Sequence, residues 1–231
     1  MKIFKKIIFL TTVCFLFSAF FTPDDCGMYA PVKEGSELEL KSYSNSDKLT
    51  GSTRTKVTVF RKTLTGQEVE MKAESFDKKE KSVGTSSYVL TCENGSFSVD
   101  MKSMVSQEQM ASFKDQKITI QSDKLDIPSN PQVGQLLKNG TVKIISESES
   151  PISLNLSILI SNRKVAAIEE ITVPAGTFKC VKITYDAESK MLFTIKSKAA
   201  EWYAKEVGLV RSESYNSKDK LLGYTVLASK K

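Results

Sequence analysis

Residues 152–160 read Ile-Ser-Leu-Asn-Leu-Ser-Ile-Leu-Ile, the clearest alternating stretch in the chain. Polar side chains separate the apolar ones over most of its length. Because successive side chains of a strand point to opposite faces of a sheet, this pattern predicts a strand with one apolar face. That face either receives a ligand or belongs to a closed core. The residues expected on it are Ile152, Leu154, Leu156, Ile158 and Ile160.

The same period of two recurs from Leu38 onward, for example at residues 68–76, where Val69, Met71 and Ala73 share a face. Further strands are predicted at residues 51–63, 84–92, 96–101, 117–121, 141–146, 165–173, 177–186, 191–196, 208–215 and 222–228. So many short strands predict a mainly all-β fold. We expect a strongly curved antiparallel sheet or a partly closed β-barrel with one short helix.

Local turn chemistry supports this arrangement. Asn94-Gly95 between two strand-like runs is a strong hairpin signal. The stretch 173–176, Val-Pro-Ala-Gly, has proline and glycine where a tight turn needs them. Ser106 with Gln109 forms a capping box that predicts the short helix.

A ten-residue pattern, Ser-aromatic-x-x-x-acid-Lys-x-x-Gly, occurs three times and begins at Ser42, Ser75 and Ser214. Each copy is typical of the end of one strand, a charged turn and the start of the next strand. Two interpretations stay open: three related binding loops, or a recurrent hairpin whose aromatic residue packs while its charges face water. The pattern favours the hairpin.

The N-terminal residues are typical of a leader. Lys2, Lys5 and Lys6 precede an apolar run at residues 7–21. This run is shorter than the roughly 20 residues of a bilayer span and suits a secretion signal. We therefore expect a signal peptide at 1–22, a single antiparallel β domain at 23–231, and no transmembrane span in the mature form.

Cys26 follows the leader closely, but Asp24 and Asp25 precede it where a lipidation signal needs small residues. Lipidation at Cys26 is therefore not expected. Export permits a disulfide, and Cys92 with Cys180 is the preferred pair, because both fall late in predicted strands. Free thiols are the alternative.

Composition excludes several classes of function. The chain has no histidine, which removes the usual Ser-His-Asp and Cys-His catalysis and the commonest metal ligand. Its net charge of +6 comes without a basic stripe interleaved with aromatics, so no nucleic acid is expected. No enzyme activity and no cofactor are predicted. A glycoside hydrolase that uses only carboxylates is the remaining catalytic alternative; its candidate residues are Asp100, Glu169, Glu170 and Glu201.

Three segments of the C-terminal half carry a family resemblance: Asn162-Arg-Lys-Val165, Thr172-Val-Pro-Ala-Gly-Thr-Phe-Lys-Cys180, and the run from Glu201-Trp-Tyr to Ser-Tyr215. Together they resemble the TapB-like family of exported bacterial proteins, a domain of unknown function (DUF 3108). The resemblance implies an exported β-rich fold, similar to the curved half-barrels of periplasmic lipoprotein carriers. It implies no reaction and no catalytic residue.

These observations predict an exported binding or structural protein of the periplasm or outer envelope. On this hypothesis a concave sheet face holds a lipid or an apolar partner segment. The alternative is a surface module that binds an envelope protein and no small ligand, through an aromatic patch at Trp202 and Tyr203.

Overall fold

The computed structural model describes residues 27–105, 107–111, 113–114, 117–147 and 155–231. Within this part of the chain, thirteen antiparallel strands form one continuous sheet, with a 3-10 helix at Met101–Met104 and a helix α1 at Gln107–Ala111. The strands are β1 Glu37–Ser44, β2 Leu49–Lys62, β3 Gly66–Asp77, β4 Ser82–Glu93, β5 Ser96–Asp100, β6 Ile118–Ser122, β7 Lys124–Pro128, β8 Gly140–Ser146, β9 Asn155–Val173, β10 Gly176–Lys190, β11 Thr194–Ala204, β12 Gly208–Asn216 and β13 Leu221–Lys230.

The sheet closes almost completely on itself. Its order is β6-β8-β9-β10-β11-β12-β13-β1-β2-β3-β4-β5-β7, so β6 and β7 lie at opposite ends although only Asp123 separates them in sequence. The Asp123 amide donates to the Thr141 carbonyl, and its own carbonyl accepts from the Met101 amide, both at 2.9 Å. One extended segment therefore changes partner at Asp123 and joins the two ends of the sheet. This confirms the predicted partly closed barrel.

Two stretches that were predicted as separate strands form a single long strand. Residues predicted separately at 152–160 and 165–173 join as β9, which starts at Asn155, while 152–154 lie outside the described residues. Asn162 has a positive φ of 54°, and the pairing of β9 with β10 shifts register beside it. This irregularity adds a residue to the strand, so that Ile160, Arg163 and Val165 are all buried.

The middle of strand β10 and the C-terminal half of strand β11 are covered on both faces. Val181 of β10 and Tyr203 of β11 pack in one core cluster. Their sequence neighbours Cys180 and Trp202 pack in a second cluster on the other face. Since adjacent strand residues point to opposite faces, neither face of this part of the sheet is open to solvent. A third cluster packs the 3-10 helix and Phe113 against β7, β8 and the first half of β9.

The local turn predictions are confirmed. Asn94 and Gly95 both have positive φ, at 51° and 71°, as a two-residue type I′ turn requires. Val173 pairs with Gly176 across a two-residue turn. The short helix forms at Gln107–Ala111, although the predicted cap, Ser106, lies outside the described residues.

Residues 191–196 were predicted as a strand, and this is wrong for the first three. Lys190 pairs with Thr194, so 191–193 form a hairpin turn and β11 begins at Thr194. The apolar character of the turn suggested a strand, but the pairing of β10 with β11 does not include residues 191–193.

Strand β7 was not predicted, because it is short and lies beside a loop rich in proline and glycine. Neither helix in the described part of the chain is long and apolar enough to span a membrane.

Candidate functional site

The three copies of the repeated sequence form three equivalent turns, at residues 44–48, 77–81 and 216–220; we call them the charged turns. In each, the first residue donates its amide to the carbonyl of the fifth, at 2.9 Å. The amide of the fourth residue donates to the carbonyl of the first, at 3.0 to 3.1 Å. The side-chain oxygen of the first residue accepts from the amides of the third and fifth.

The fourth residue of each charged turn adopts a left-handed conformation. The φ angles of Asp47, Glu80 and Asp219 are 59°, 62° and 60°. A type I turn followed by a left-handed residue is the usual three-residue hairpin connection, which leads into a bulge. The pairing does shift register just before each turn. The structure thus shows a recurrent hairpin unit, as the sequence pattern favoured.

The charged turns stand side by side on one rim of the barrel. They connect alternate strand pairs of the run β12-β13-β1-β2-β3-β4, so all three lie at the same end. Ser44 pairs with Gly223 just beyond the third turn, and Gly51 pairs with Asp77 at the start of the second. We call this end the charged rim. A groove of about 580 Å³ separates the first and second turns; its lining includes Lys48, Lys78 and Lys79.

The acids of the charged turns are engaged by the protein itself. Asp47 accepts a hydrogen bond from the Tyr224 hydroxyl at 2.8 Å. Asp219 accepts from the Lys198 ammonium at 2.7 Å. The second turn behaves likewise: Arg54 donates to Glu80 at 2.5 Å, and the Asp77 carboxylate accepts the backbone amides of its own turn.

The lysines of the turns are not engaged in this way. All six are exposed, and none forms an ion pair with a described residue. Because the neighbouring carboxylates already have partners, the rim presents free ammonium groups to solvent. The six are Lys48, Lys78, Lys79, Lys81, Lys218 and Lys220.

Aromatic side chains support the rim from below. Tyr43 stacks on Tyr224 with ring centroids 5.2 Å apart, and the Arg211 guanidinium lies 5.0 Å from the Tyr224 ring centroid. The Tyr215 hydroxyl donates to Glu213, and burial raises the Tyr215 pKa to about 12, with the Glu213 charge adding to the shift. Such packed, hydrogen-bonded rings fix the positions of the turns above them.

The hairpin turn between β10 and β11 stands on the same rim and was missed by sequence reasoning. Leu192, Phe193 and Ile195 are 78%, 70% and 55% exposed. We call residues 191–195 the apolar turn. The signal was present, since four of its five residues are apolar, but this apolar character suggested an ordinary strand.

The predicted ligand-facing or core strand is buried wherever it is described. Leu156, Ile158 and Ile160 are 2%, 9% and 1% exposed and pack with Phe113 and Ile144 in the third core cluster. Ile152 and Leu154 lie outside the described residues. The three described side chains therefore form core and do not line an open concave face.

Trp202 and Tyr203 do not form the predicted surface aromatic patch. Trp202 is 4% exposed, donates its indole N–H to Glu169 at 2.7 Å, and lies under the Lys182 ammonium at 4.6 Å. Tyr203 points to the other face of the sheet and packs against the first core cluster. The prediction failed because both faces of β11 are covered.

The predicted pairing of Cys92 with Cys180 is also wrong. Cys180 is a buried free thiol, whereas Cys92 is disulfide-bonded. The two cysteines belong to different core clusters, so their strands do not bring them together. Burial raises the pKa of the Cys180 thiol to about 11, and the nearby Glu169 charge adds to the shift.

Glu201 lies at the centre of a part-buried polar cluster. Tyr185 donates its hydroxyl to Oε1 at 2.8 Å and Tyr203 donates to Oε2 at 2.7 Å. Burial raises the pKa of Glu201, against the opposing effects of these two hydrogen bonds and of the Arg163 charge. Burial together with the Glu201 charge raises both tyrosine pKa values well above their ordinary value. The carboxylate is satisfied inside the fold.

The acids considered for hydrolysis do not meet in a cleft. Glu201 faces the interior, whereas Glu169 contacts Trp202 on the opposite face of the sheet. Glu170 is exposed, and Asp100 caps the 3-10 helix by accepting the Lys102 amide. Among the described residues, no group of three or more His, Cys, Asp or Glu side chains is placed to hold a metal ion.

Comparison with known proteins places this fold in a family. The sequence model of the DUF3108-like family matches residues 33–227. The chain therefore belongs to the DUF3108-like family, as its resemblance to exported proteins of that domain type predicted.

Two solved structures are similar over nearly the whole chain. One is a candidate lipoprotein from Parabacteroides distasonis, 28% identical, with a TM-score of 0.76; it covers 90% of this chain and 100% of its own. The other is a candidate exported protein with a YmcC-like fold from Bacteroides fragilis, 27% identical, with a TM-score of 0.74; it covers 88% of this chain and 99% of its own. The comparison with curated proteins finds no match.

Proposed function

We propose that this protein is an exported component of the bacterial envelope that acts by binding, through the charged rim, and not by catalysis. The single observation that carries the proposal is the rim itself. Three turns of the same geometry stand side by side, their acids are engaged, and their six lysines form no ion pair with any residue that the structure describes. A repeated surface on which exposed ammonium groups outnumber carboxylates suits a partner that is extended and negatively charged.

Export is supported from two directions. The apolar run after Lys2, Lys5 and Lys6 suits a signal peptide, with the mature domain beginning near residue 23. The two similar structures are themselves described as exported or lipoprotein candidates. Residence in the periplasm or at the outer envelope agrees with both.

A binding role also agrees with the chemistry of the interior. Glu201, which faces the interior of the barrel, has both oxygens occupied by tyrosine hydroxyls. Hydrolysis by carboxylates needs a second acid about 5 to 10 Å away, and the other candidates lie on different faces or elements. The apolar strand face that was expected to hold a lipid is packed as core at Leu156, Ile158 and Ile160.

The test measures binding to envelope fractions of the source bacterium. In the rim variant, Lys48, Lys79 and Lys218, one from each charged turn, are changed to glutamine. The matched control carries the same change at three exposed lysines of the opposite rim: Lys33, Lys62 and Lys205. We expect the rim variant to lose at least tenfold in binding and the control to behave as the wild type.

Binding should also weaken steeply with salt, because exposed charges are screened over about 8 Å at physiological ionic strength. Equal losses in the rim variant and the control would contradict a rim-specific site. Binding that needs neither set of lysines would contradict the proposal altogether.

A further inference from the structure

We infer that the partner of the charged rim is an anionic lipid surface, into which the apolar turn inserts. The inference rests on the proposed function and adds the identity of the partner. Its basis is a second observation on the same rim: large apolar side chains exposed beside the free lysines.

The apolar turn is held outward by its own anchor. Met191 is half-buried and packs against the third core cluster, whereas Leu192 and Phe193 beside it are 78% and 70% exposed. Ile195 extends the apolar surface along the start of β11 at 55% exposed. Exposure of Leu and Phe side chains to water at a hairpin tip is unfavourable, and their transfer into an apolar interface is favourable.

The apolar turn is joined to the charged turns. Ser197, two residues beyond Ile195, pairs with Asn216 at the start of the third charged turn. The Lys198 ammonium donates to Asp219 inside that turn at 2.7 Å. Alternate hairpins of an antiparallel sheet lie at the same end, so the apolar turn and the three charged turns can meet one surface together.

Exposed lysines also flank the apolar turn. Lys190 immediately precedes it, and Lys196, which also pairs with Glu188 at 3.2 Å, immediately follows it. Lysine is suited to this position, because its apolar stem lies along the interface while its ammonium stays in water beside lipid phosphates.

The combination selects one class of partner. A soluble polyanion would be held by the lysines alone and would leave Leu192 and Phe193 in water. An apolar protein groove would accept the turn without needing the six lysines that lie along the same rim. An anionic bilayer offers phosphates at its surface and hydrocarbon a few ångströms below, which matches both features.

The experiment uses the processed protein, purified after export, and vesicles of phosphatidylcholine with or without one third phosphatidylglycerol. Binding is measured by co-sedimentation. We expect the wild type to bind the anionic vesicles at least tenfold more tightly than the neutral ones. The rim variant described above and the double variant Leu192→Ser/Phe193→Ser should each lose at least tenfold.

The matched control for the double variant is Leu64→Ser/Val133→Ser, which removes two exposed apolar side chains away from the charged rim: Leu64 lies in the β2–β3 turn and Val133 in the loop beside Val165 of β9. It should bind the anionic vesicles as the wild type does. Insertion is read separately from Phe193→Trp, whose added fluorescence should shift to the blue on anionic vesicles, while Leu64→Trp should not shift.

Failure of this inference is distinguishable from failure of the proposed function. If envelope binding requires the rim lysines but anionic vesicles are not bound above neutral ones, the partner is a protein or polysaccharide and the lipid inference is overturned. If neither envelope nor vesicles bind, both proposals fail. Vesicle binding that survives Leu192→Ser/Phe193→Ser would contradict insertion.

Discussion

The Arg163 guanidinium of β9 donates from Nη2 to the main-chain oxygen of Asp126 on β7 at 2.9 Å, although these strands are not paired in the sheet. Its Nη1 donates to the Lys138 carbonyl at 2.7 Å. Arg163 is only 4% exposed, and burial lowers its pKa against the opposing charge of Asp126. One buried side chain therefore satisfies carbonyl groups along the seam where the barrel does not close.

We predict that Arg163→Ala costs about 2 to 5 kcal/mol of unfolding free energy, because two part-buried carbonyl groups lose their donor. Arg163→Lys should lose most of the same amount, since a single ammonium cannot reproduce the planar fork that reaches two separate segments. The measurement is urea unfolding. Lys164→Ala, an exposed change at the next residue, should stay within about 0.5 kcal/mol of the wild type. If Arg163→Lys were as stable as the wild type, the positive charge, and not the planar guanidinium with its two hydrogen bonds, would be what stabilises this region.

The Arg163 contacts join segments that are distant in the chain, and such contacts could not be predicted from the sequence. The three charged turns were predictable because turn conformation depends on a few adjacent residues, and the left-handed positions of Asp47, Glu80 and Asp219 follow from it. The alternating pattern likewise predicted most strands, since one buried face leaves a period of two. Both signals are local.

The failures all depend on which distant segment covers a strand. Trp202 looks like a surface aromatic until the second face of β11 proves to be covered. Cys92 and Cys180 look like partners until their strands fall in different clusters. The outward position of Leu192 and Phe193 follows from the pairing of Lys190 with Thr194, which the sequence does not specify.

Glu201 predicts a specific pH dependence of stability. Burial raises its pKa in the folded state above the ordinary value of about 4.3. The folded protein thus holds this proton more tightly than the unfolded chain does. The resulting stability is present at low pH and is lost as pH rises through the folded pKa.

Glu201→Gln removes this titration and keeps a side chain of similar size. We expect the unfolding free energy of the wild type, minus that of Glu201→Gln, to fall as pH rises from below 4 to 7. Denaturant unfolding at a series of pH values measures it, with exposed Glu170→Gln as the control for losing one carboxylate. A difference that instead rises with pH would mean that the tyrosine hydrogen bonds outweigh burial.

Gly223 is required by the close approach of β1 and β13 beside the charged rim. A Cβ atom at this position would lie 2.6 Å from the Tyr43 carbonyl oxygen, which belongs to the backbone and cannot turn away. Gly223→Ala should therefore cost about 1 to 3 kcal/mol. Thermal unfolding measures it, at about 2 to 4 °C per kcal/mol for a domain of this size. The paired residue Ser214 is exposed, and Ser214→Ala should change little.

The cysteines predict a definite labelling pattern. Cys180 is buried and its thiol pKa is raised to about 11, so iodoacetamide at pH 8 should leave it unmodified until the protein unfolds. Cys92 should stay blocked in both states until a reductant is added, because it is disulfide-bonded. Rapid native labelling of Cys180 would contradict its buried position.

The partner of Cys92 can be identified by peptide mapping without reduction. Since Cys180 is free, the remaining cysteines are Cys14 and Cys26. Gly27 follows Cys26 in the chain and lines the same pocket as Gln67, which pairs with Cys92 across β3 and β4, so we expect a Cys26–Cys92 peptide. Cys92→Ser should then cost about 2 to 4 kcal/mol. A thioether-linked lipid on Cys26 would contradict this pairing, because a thiol that carries a lipid cannot also form a disulfide.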